Sequence, residues 1–499
     1  MRSLWLSGLP VCLGLASTWS WSELFGTEMA MNSTAPLGYF LRSMNSCTGS
    51  AEVPQAVPDM EGVSHFRLLP AIFPEGMGFH FDGLAMVLKF TFTKGRVEWQ
   101  TKPYESDAEK SFRSCIFAGT GTGPTIGYHP CLTNPQVNLL PINDQLWLTT
   151  DTSKWGRMDP DTLKTLPDAV QVDSTVLNAH PACDPSSGAC FVQYNCGSHG
   201  QPYTNQACVG ILQANKSLAV QEISRATLPE RRMIQHSHSP CITPNYLVSK
   251  LDSFEFRVPV ASNSGLLRFM HQKEDDLWLV MDRSTNSSHI LSGGPGFVNN
   301  HFWNCFESNG KIIVDSVAAT ENYLDNYFER NLAVDALNWS HIFHPPVRCE
   351  VKPKEAAVAC DALFAEDTAK VFDYPTFNPH FKMSASYRFF YAIAPATAAS
   401  RWFDQLIKVD VQSRSVVKHW SAPGIFLTEA DFVPSQAAHG KEDDGILVSI
   451  LYNASDDTSQ LGIFDAASLA LLSQQKLGCV VPFHAHGIVC AQGKCFPNP

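Results

Sequence analysis

The chain has 499 residues, 44% of them hydrophobic and 17% charged, so it can bury a large core and is not a disordered or low-complexity polymer. Its formal net charge of −12 arises without any Lys/Arg cluster, which excludes a phosphate-tracking nucleic-acid binder. No apolar run approaches the roughly 20 residues of a membrane-spanning helix, which leaves open membrane contact through a surface patch.

At the N-terminus, Met1-Arg2 is followed by a mostly apolar stretch from Leu4 to Leu15 and then by Ala16-Ser17-Thr18. One positive charge, a short apolar core and small residues describe a signal peptide over residues 1–20, with an N-terminal extension over 21–60. Sequons at Asn32, Asn215, Asn286, Asn338 and Asn453 agree with a secreted glycoprotein, as does the count of 15 cysteines. Removal of Cys12 with the signal leaves 14. None of the cysteines forms a CxxC pair, which argues against a zinc ribbon. Their spacing leaves the disulfide connectivity open. The expected location is therefore the secretory pathway or outside the cell, with a plastid reached through a bipartite leader as the alternative.

From about residue 60 onward short strands alternate with turns. Residues 86–93, 145–150, 311–315, 389–393 and 445–451 alternate or run apolar over strand lengths. Thr93-Lys94-Gly95, Ser308-Asn309-Gly310 and Asp443-Asp444-Gly445 supply turn chemistry between them. Helical periodicity is scarce, and Glu321 to Leu332 is read as a helix or a long insertion. Two segments, Asp159-Pro160-Asp161-Thr162-Leu163 and Asp465-Ala466-Ala467-Ser468-Leu469, repeat an Asp-x-x-Thr/Ser-Leu turn in the manner of propeller blades.

Four histidine segments stand out in this all-β pattern: Asn178-Ala179-His180-Pro181, His238-Ser239-Pro240-Cys241, His301-Phe302-Trp303-Asn304 and Pro482-Phe483-His484-Ala485-His486-Gly487. His180, His238, His301 and His486 lie 58, 63 and 185 residues apart (238 − 180, 301 − 238, 486 − 301). Such gaps fit a ligand that returns with each blade while some blades are skipped. Read from spacing alone, His236 competes with His238 and His484 with His486, because i, i+2 residues share a strand face. A three-histidine zinc site is equally compatible with the spacing.

The surrounding residues narrow that choice. His238 is followed by Ser239 and then by Thr243-Pro244-Asn245-Tyr246; His301 precedes Asn304, Glu307 and Asn309-Gly310; His486 precedes Gly487 and follows Pro482; His180 precedes Pro181, Asp184-Pro185 and Gly188. Together with Phe79-His80-Phe81-Asp82-Gly83-Leu84-Ala85-Met86, and in this order, they resemble the carotenoid oxygenase family. Thr133-Asn134 through Asp159-Pro160 and the Thr-Pro-Asn-Tyr form resemble its animal branch of β-carotene oxygenases and the retinal pigment epithelium isomerohydrolase. The resemblance spans roughly residues 60 to 490.

It implies a seven-bladed β-propeller over 61–499, with iron on the central axis and a helical or loop cap over a substrate tunnel. The ligands would be His180, His238, His301 and His486, holding Fe(II) as four neutral imidazoles. Outer carboxylates would accept the other imidazole N–H of three of them, at Asp151, Asp373 and Glu429. The family carries Glu at all three positions; the two Asp here, one methylene shorter, must sit closer, bridge through water or leave a looser ligand. Phe302, Trp303 and Phe306 are expected to line the tunnel, and Cys241 and Cys305, beside ligands, to pack. The segment Gly62 to Pro70, which contains Arg67, is a degenerate form of an early family motif. The loop Gly119 to Cys131 corresponds to one that extracts substrate from membranes.

The implied activity is oxidative cleavage by O2 of a conjugated C=C bond in a carotenoid or apocarotenoid, giving aldehyde or ketone products. The alternatives are a retinoid isomerohydrolase on the same iron and a secreted polyene-binding propeller without turnover.

Overall fold

Alternation of apolar and polar residues over five to ten positions, cut by Asx and glycine turns, produces a chain that is almost entirely antiparallel sheet. The computed structural model describes residues 42–72, 83–105, 134–151, 155–167, 170–171, 177–196, 203–214, 218–233, 235–257, 268–271, 276–320, 323, 338–364, 371–435, 440–491 and 493–497. The expected signal peptide, half of the Phe79–Met86 segment, the loop 119–131 and nearly all of the stretch 321–332 lie outside them. Among the described residues α-helix is confined to the turn Trp339–Ile342 and to Tyr323, and no helix is long and apolar enough to cross a membrane.

The sheets form seven blades. The first holds Thr48–Glu52, Ser64–Ile72, Leu84–Thr93 and Arg96–Pro103 together with Gly487–Ala491 and Lys494–Pro497. The second runs from Asn138–Ile142 to Thr165–Leu166, and the third joins Val170–Gln171 to the strands between Ala182–Cys183 and Leu218–Met233. The fourth, Gln235–His236 to Ser287–Gly293, and the fifth, Val298–Ser308 to Ala357–Ala362, touch through a short parallel pairing of Ser292 with Ala357. The sixth spans Asp373–Thr376 to Ser415–Ser421 and the seventh Ile425–Leu427 to Leu471–Lys476. This is the expected propeller.

The five strands read from the sequence are all present, as Leu84–Thr93, Gln145–Thr149, Lys311–Ala319, Phe389–Ala394 and Gly445–Asn453. Asn309 and Gly310 both take positive φ, 51° and 75°, as a two-residue hairpin between Ser308 and Lys311 requires. The two Asp-x-x-Thr/Ser-Leu segments prove to be one device used twice. Asp159 accepts from the Thr162 backbone N–H and Asp465 from that of Ser468, and the following Leu163 and Leu469, at φ 54° and 59°, bury their side chains.

The first blade closes the ring, because Ser64–Arg67 pairs antiparallel with Gly487–Cys490. The ring also reaches further toward the N-terminus than expected. Thr48–Glu52, assigned above to an extension, pairs with Arg96–Gln100 as a strand of this blade, and Cys47 is bonded to Cys479. Five further disulfides join Cys183–Cys190, Cys196–Cys208, Cys241–Cys305, Cys349–Cys360 and Cys490–Cys495. Cys241 and Cys305, expected only to pack, thus bridge the fourth and fifth blades just after His238 and His301.

Candidate metal centre

Every blade sends one key side chain inward. The second supplies Asp151, the third His180, the fourth His238, the fifth His301, the sixth Asp373, the seventh Glu429 and the first His486. The long interval between His301 and His486 is explained by the sixth and seventh blades, which, like the second, carry carboxylates in place of imidazoles.

The four histidines meet. One ring nitrogen of each lies within 4.8 Å of the others, and His301 Nε2 and His486 Nε2 are 3.1 Å apart. Asp151 accepts from His238 Nδ1 at 2.9 Å, Asp373 from His301 Nδ1 at 2.8 Å and Glu429 from His486 Nδ1 at 3.0 Å. His180 Nδ1 instead lies 3.1 Å from the Asn138 side-chain amide. Of the competing members of the two pairs, His484 stays out of the cluster and turns Nδ1 toward the Pro482 carbonyl at 2.9 Å, and His236 stands on the strand Gln235–His236.

The local backbone is built to aim these groups. The strand Val298–Ser308 slips register on either side of His301, between Asn299 and His301 and between Phe302 and Asn304. Such bulges re-aim side chains that strict alternation would send to opposite faces. Asn300 can therefore donate to Asp373 Oδ2 at 2.8 Å while its neighbour His301 donates to Oδ1. A third slip falls between Asp373 and Thr376, and between them Tyr374 holds φ at 55°, a left-handed conformation costly for a bulky residue. Its N–H donates to Asp373 Oδ1 at 2.8 Å, and its ring lies 5.7 Å from that of His301 and 5.5 Å from that of His486. The shorter Asp side chains thus reach their histidines directly, at distances no longer than that of Glu429; of the three options posed by the shortening, the closer approach is the one adopted.

The donor set fits a divalent cation. A carboxylate only accepts, so Nδ1 carries the proton in three of the rings and Nε2 is left with its lone pair. Two such lone pairs 3.1 Å apart repel unless a cation lies against both. His180 Nε2 is buried with no hydrogen-bond partner among the described residues, an orphan that a metal would satisfy. A shared proton is a poor substitute. Burial first, then the neighbouring imidazoles, hold His180 and His486 well below the usual histidine range, and burial also lowers His301 despite Asp373 beside it.

The three aromatics expected to line a tunnel are all buried in the blade core. Phe302 stacks on Trp278 with centroids 5.8 Å apart; Trp303 packs on Phe390 and Phe372 and donates to Tyr387 Oη; Phe306 meets Tyr387 at 5.8 Å under the Arg348 guanidinium. Sequence reasoning assigned no role to Asn138, Asn300, Tyr374 or Arg67. Tyr374 stands inside the segment Phe372–Asn378 that marked Asp373, but nothing local signals a left-handed tyrosine.

Residues 58–489 match the family model described as retinal pigment epithelial membrane protein. The chain belongs to this family, the carotenoid oxygenases. It is 25% identical to the apocarotenoid-15,15'-oxygenase of Synechocystis over 464 residues, which cover 86% of this chain and 90% of that one. It is 22% identical to the β,β-carotene 15,15'-dioxygenase of Gallus gallus, covering 83% and 89% respectively. Among solved structures, a Synechocystis apocarotenoid oxygenase variant superposes with a TM-score of 0.73 at 20% identity, over 93% of this chain and all of that one. A lignostilbene dioxygenase of Pseudomonas brassicacearum gives 0.72 at 18% identity, covering 92% and 99%. This carotenoid oxygenase therefore shares the family's fold and presents the four imidazoles expected from its sequence.

The three outer pairs are not equivalent. The side chains of His238 and Asp151 are 14% and 26% exposed, whereas those of His301 and Asp373 are 2% and 0% exposed. Solvent screens the first pair and can replace a lost oxygen with water. Asp373→Ala is expected to weaken metal binding about 10- to 100-fold, and Asp151→Ala by clearly less, as read by metal titration of the apoprotein. Equal losses would show that burial does not grade these contacts.

Proposed function

We propose that this carotenoid oxygenase holds Fe(II) on His180, His238, His301 and His486 and cleaves one conjugated C=C bond of a carotenoid or apocarotenoid with O2. Both oxygen atoms go to the products, which are two carbonyl compounds. The observation that carries the reading is the convergence of four imidazoles from four blades, three of them oriented by carboxylates from the other three. Four neutral donors would leave the charge of a bound cation undiminished. Bound iron would supply O2 binding and activation next to the double bond.

The chain's own residues do the rest. Asp151, Asp373 and Glu429 keep Nδ1 protonated, so that Nε2 of each partner faces inward. The left-handed Tyr374 sets its ring against His301 and His486. The blade core, with Phe302 and Trp303 in it, holds the strand of His301 rigid. A location in an oxidising compartment of the secretory pathway belongs to the same proposal; six disulfides among the described residues support it, as do exposed sequon asparagines at Asn286 and Asn338.

The test is aerobic incubation of Fe(II)-loaded protein with a panel of carotenoids and apocarotenoids, with products identified by mass spectrometry. Paired aldehydes or ketones locate the cleaved bond and establish the reaction. Stoichiometric iron with no cleavage of any polyene would overturn it.

A further inference from the structure

Behind His486 lies a buried charged group that the proposed chemistry does not use. Arg67, on the strand Ser64–Ile72 of the first blade, is 0% exposed. Its Nη1 donates to Glu429 Oε2 at 3.3 Å and, at shorter range, to Asp431 Oδ2; its Nη2 donates to the Ala485 carbonyl at 2.8 Å. Glu429 turns its other oxygen to His486 Nδ1, while Oε2 also accepts from the Gly487 N–H at 3.1 Å. His65 Nε2 lies 2.6 Å from the Asp431 oxygen that Arg67 contacts. One guanidinium thus grips two buried carboxylates and the carbonyl of the residue just before the ligand.

We infer that Arg67 is a positioning residue for His486, acting through Glu429 within the four-histidine site proposed above. Glu429 and Asp431 are both 1% exposed and stand on one short segment of the seventh blade. Two such carboxylates repel, and without a cation between them Glu429 is driven from the geometry that holds the His486 ring. The planar fork of arginine meets both acids and the carbonyl at once, which a lysine point charge cannot do.

Gly487 carries the second, independent observation. A Cβ at this position would come within 2.6 Å of Arg67 Cδ and Nη1 and 2.7 Å of the Phe66 carbonyl oxygen. The glycine that follows the ligand histidine is thereby explained as the space through which the guanidinium reaches Glu429. Arg67 and Gly487 are also direct partners in the ring-closing strand pair, so closure of the propeller and placement of His486 depend on the same contact.

The test compares wild type, Arg67→Met, Arg67→Lys, Gly487→Ala and the charge-balanced double variant Arg67→Met/Asp431→Asn. Two readouts are used: Co(II) titration followed by its visible ligand-field spectrum, and the crystal structure of each metal-free protein. We expect Arg67→Met to bind Co(II) about 10- to 100-fold more weakly, with an altered spectrum and a broken Glu429–His486 contact. Gly487→Ala should alter the spectrum in the same direction, Arg67→Lys should rescue only in part, and the double variant should regain much of the affinity because the repulsion is gone. Should Arg67→Met fail to fold, the double variant alone decides, and full loss of Co(II) binding in it counts against the inference. A wild-type spectrum and an intact Glu429–His486 contact in Arg67→Met, with only a lower melting temperature, would reduce Arg67 to a structural residue. If wild type binds no Co(II), the four-histidine reading fails, and the metal-free structures still report whether Arg67 holds Glu429 and His486 together.

Discussion

Replacing His301 by alanine is expected to abolish both stoichiometric metal binding and turnover. His301 is 1% exposed, stands 3.1 Å from His486 through Nε2, and gives Nδ1 to Asp373. The substitution removes one of four donors and also strips Asp373 of its main partner, leaving a buried carboxylate held by Asn300, Tyr374 and Tyr323. Loss of an outer partner alone costs such sites about 10- to 100-fold in affinity, so loss of the ligand together with its anchor should exceed 100-fold. Metal content by mass spectrometry, measured beside the exposed control His419→Ala, checks this. One equivalent of tightly held metal in His301→Ala would remove His301 from the ligand set.

The second large effect should come from the bridge that straps the ring. Cys47 and Cys479 are separated by 432 residues, and their bond ties the segment before the outer strand Thr48–Glu52 to the end of the seventh blade. A cross-link over so long a loop restricts the unfolded chain strongly, and removal of a native disulfide typically costs about 2–5 kcal/mol. Cys47→Ser/Cys479→Ser should therefore unfold at lower denaturant while retaining the metal site, because the inner pairing of Ser64–Arg67 with Gly487–Cys490 still closes the ring. Equilibrium unfolding beside Cys183→Ser/Cys190→Ser, whose bridge spans only 7 residues, provides the comparison. Equal losses from the two pairs would show that loop length is not what matters here.

The metal centre was largely legible because each ligand comes with a short segment of its own. His238-Ser239 with Thr243-Pro244, His301 with Asn304 and Glu307, and His486-Gly487 each carry their signal within a few residues. The reasons lie in local contacts: Glu307 accepts from Thr243 Oγ1 at 2.6 Å and from the Asn245 N–H at 3.0 Å, and so ties two ligand segments together. The packing of the neighbouring aromatics was not legible, for the opposite reason. Phe302, Trp303 and Phe306 flank a ligand in sequence, but bulges on both sides of His301 send them into packing between blades.

By itself the sequence determined which four histidines converge, that the chain is strand after strand, and where several turns fall, because turn and histidine-segment motifs are short-range properties. Only the tertiary structure decided which carboxylate serves which histidine, that Cys241 bonds Cys305, that Tyr374 takes a left-handed backbone, and that Arg67 lies against Glu429. Apart from the Tyr374 backbone, each rests on contacts between blades whose residues lie 57 to 362 positions apart. A single bulge there moves a side chain to the other face of its strand, and no local pattern records it.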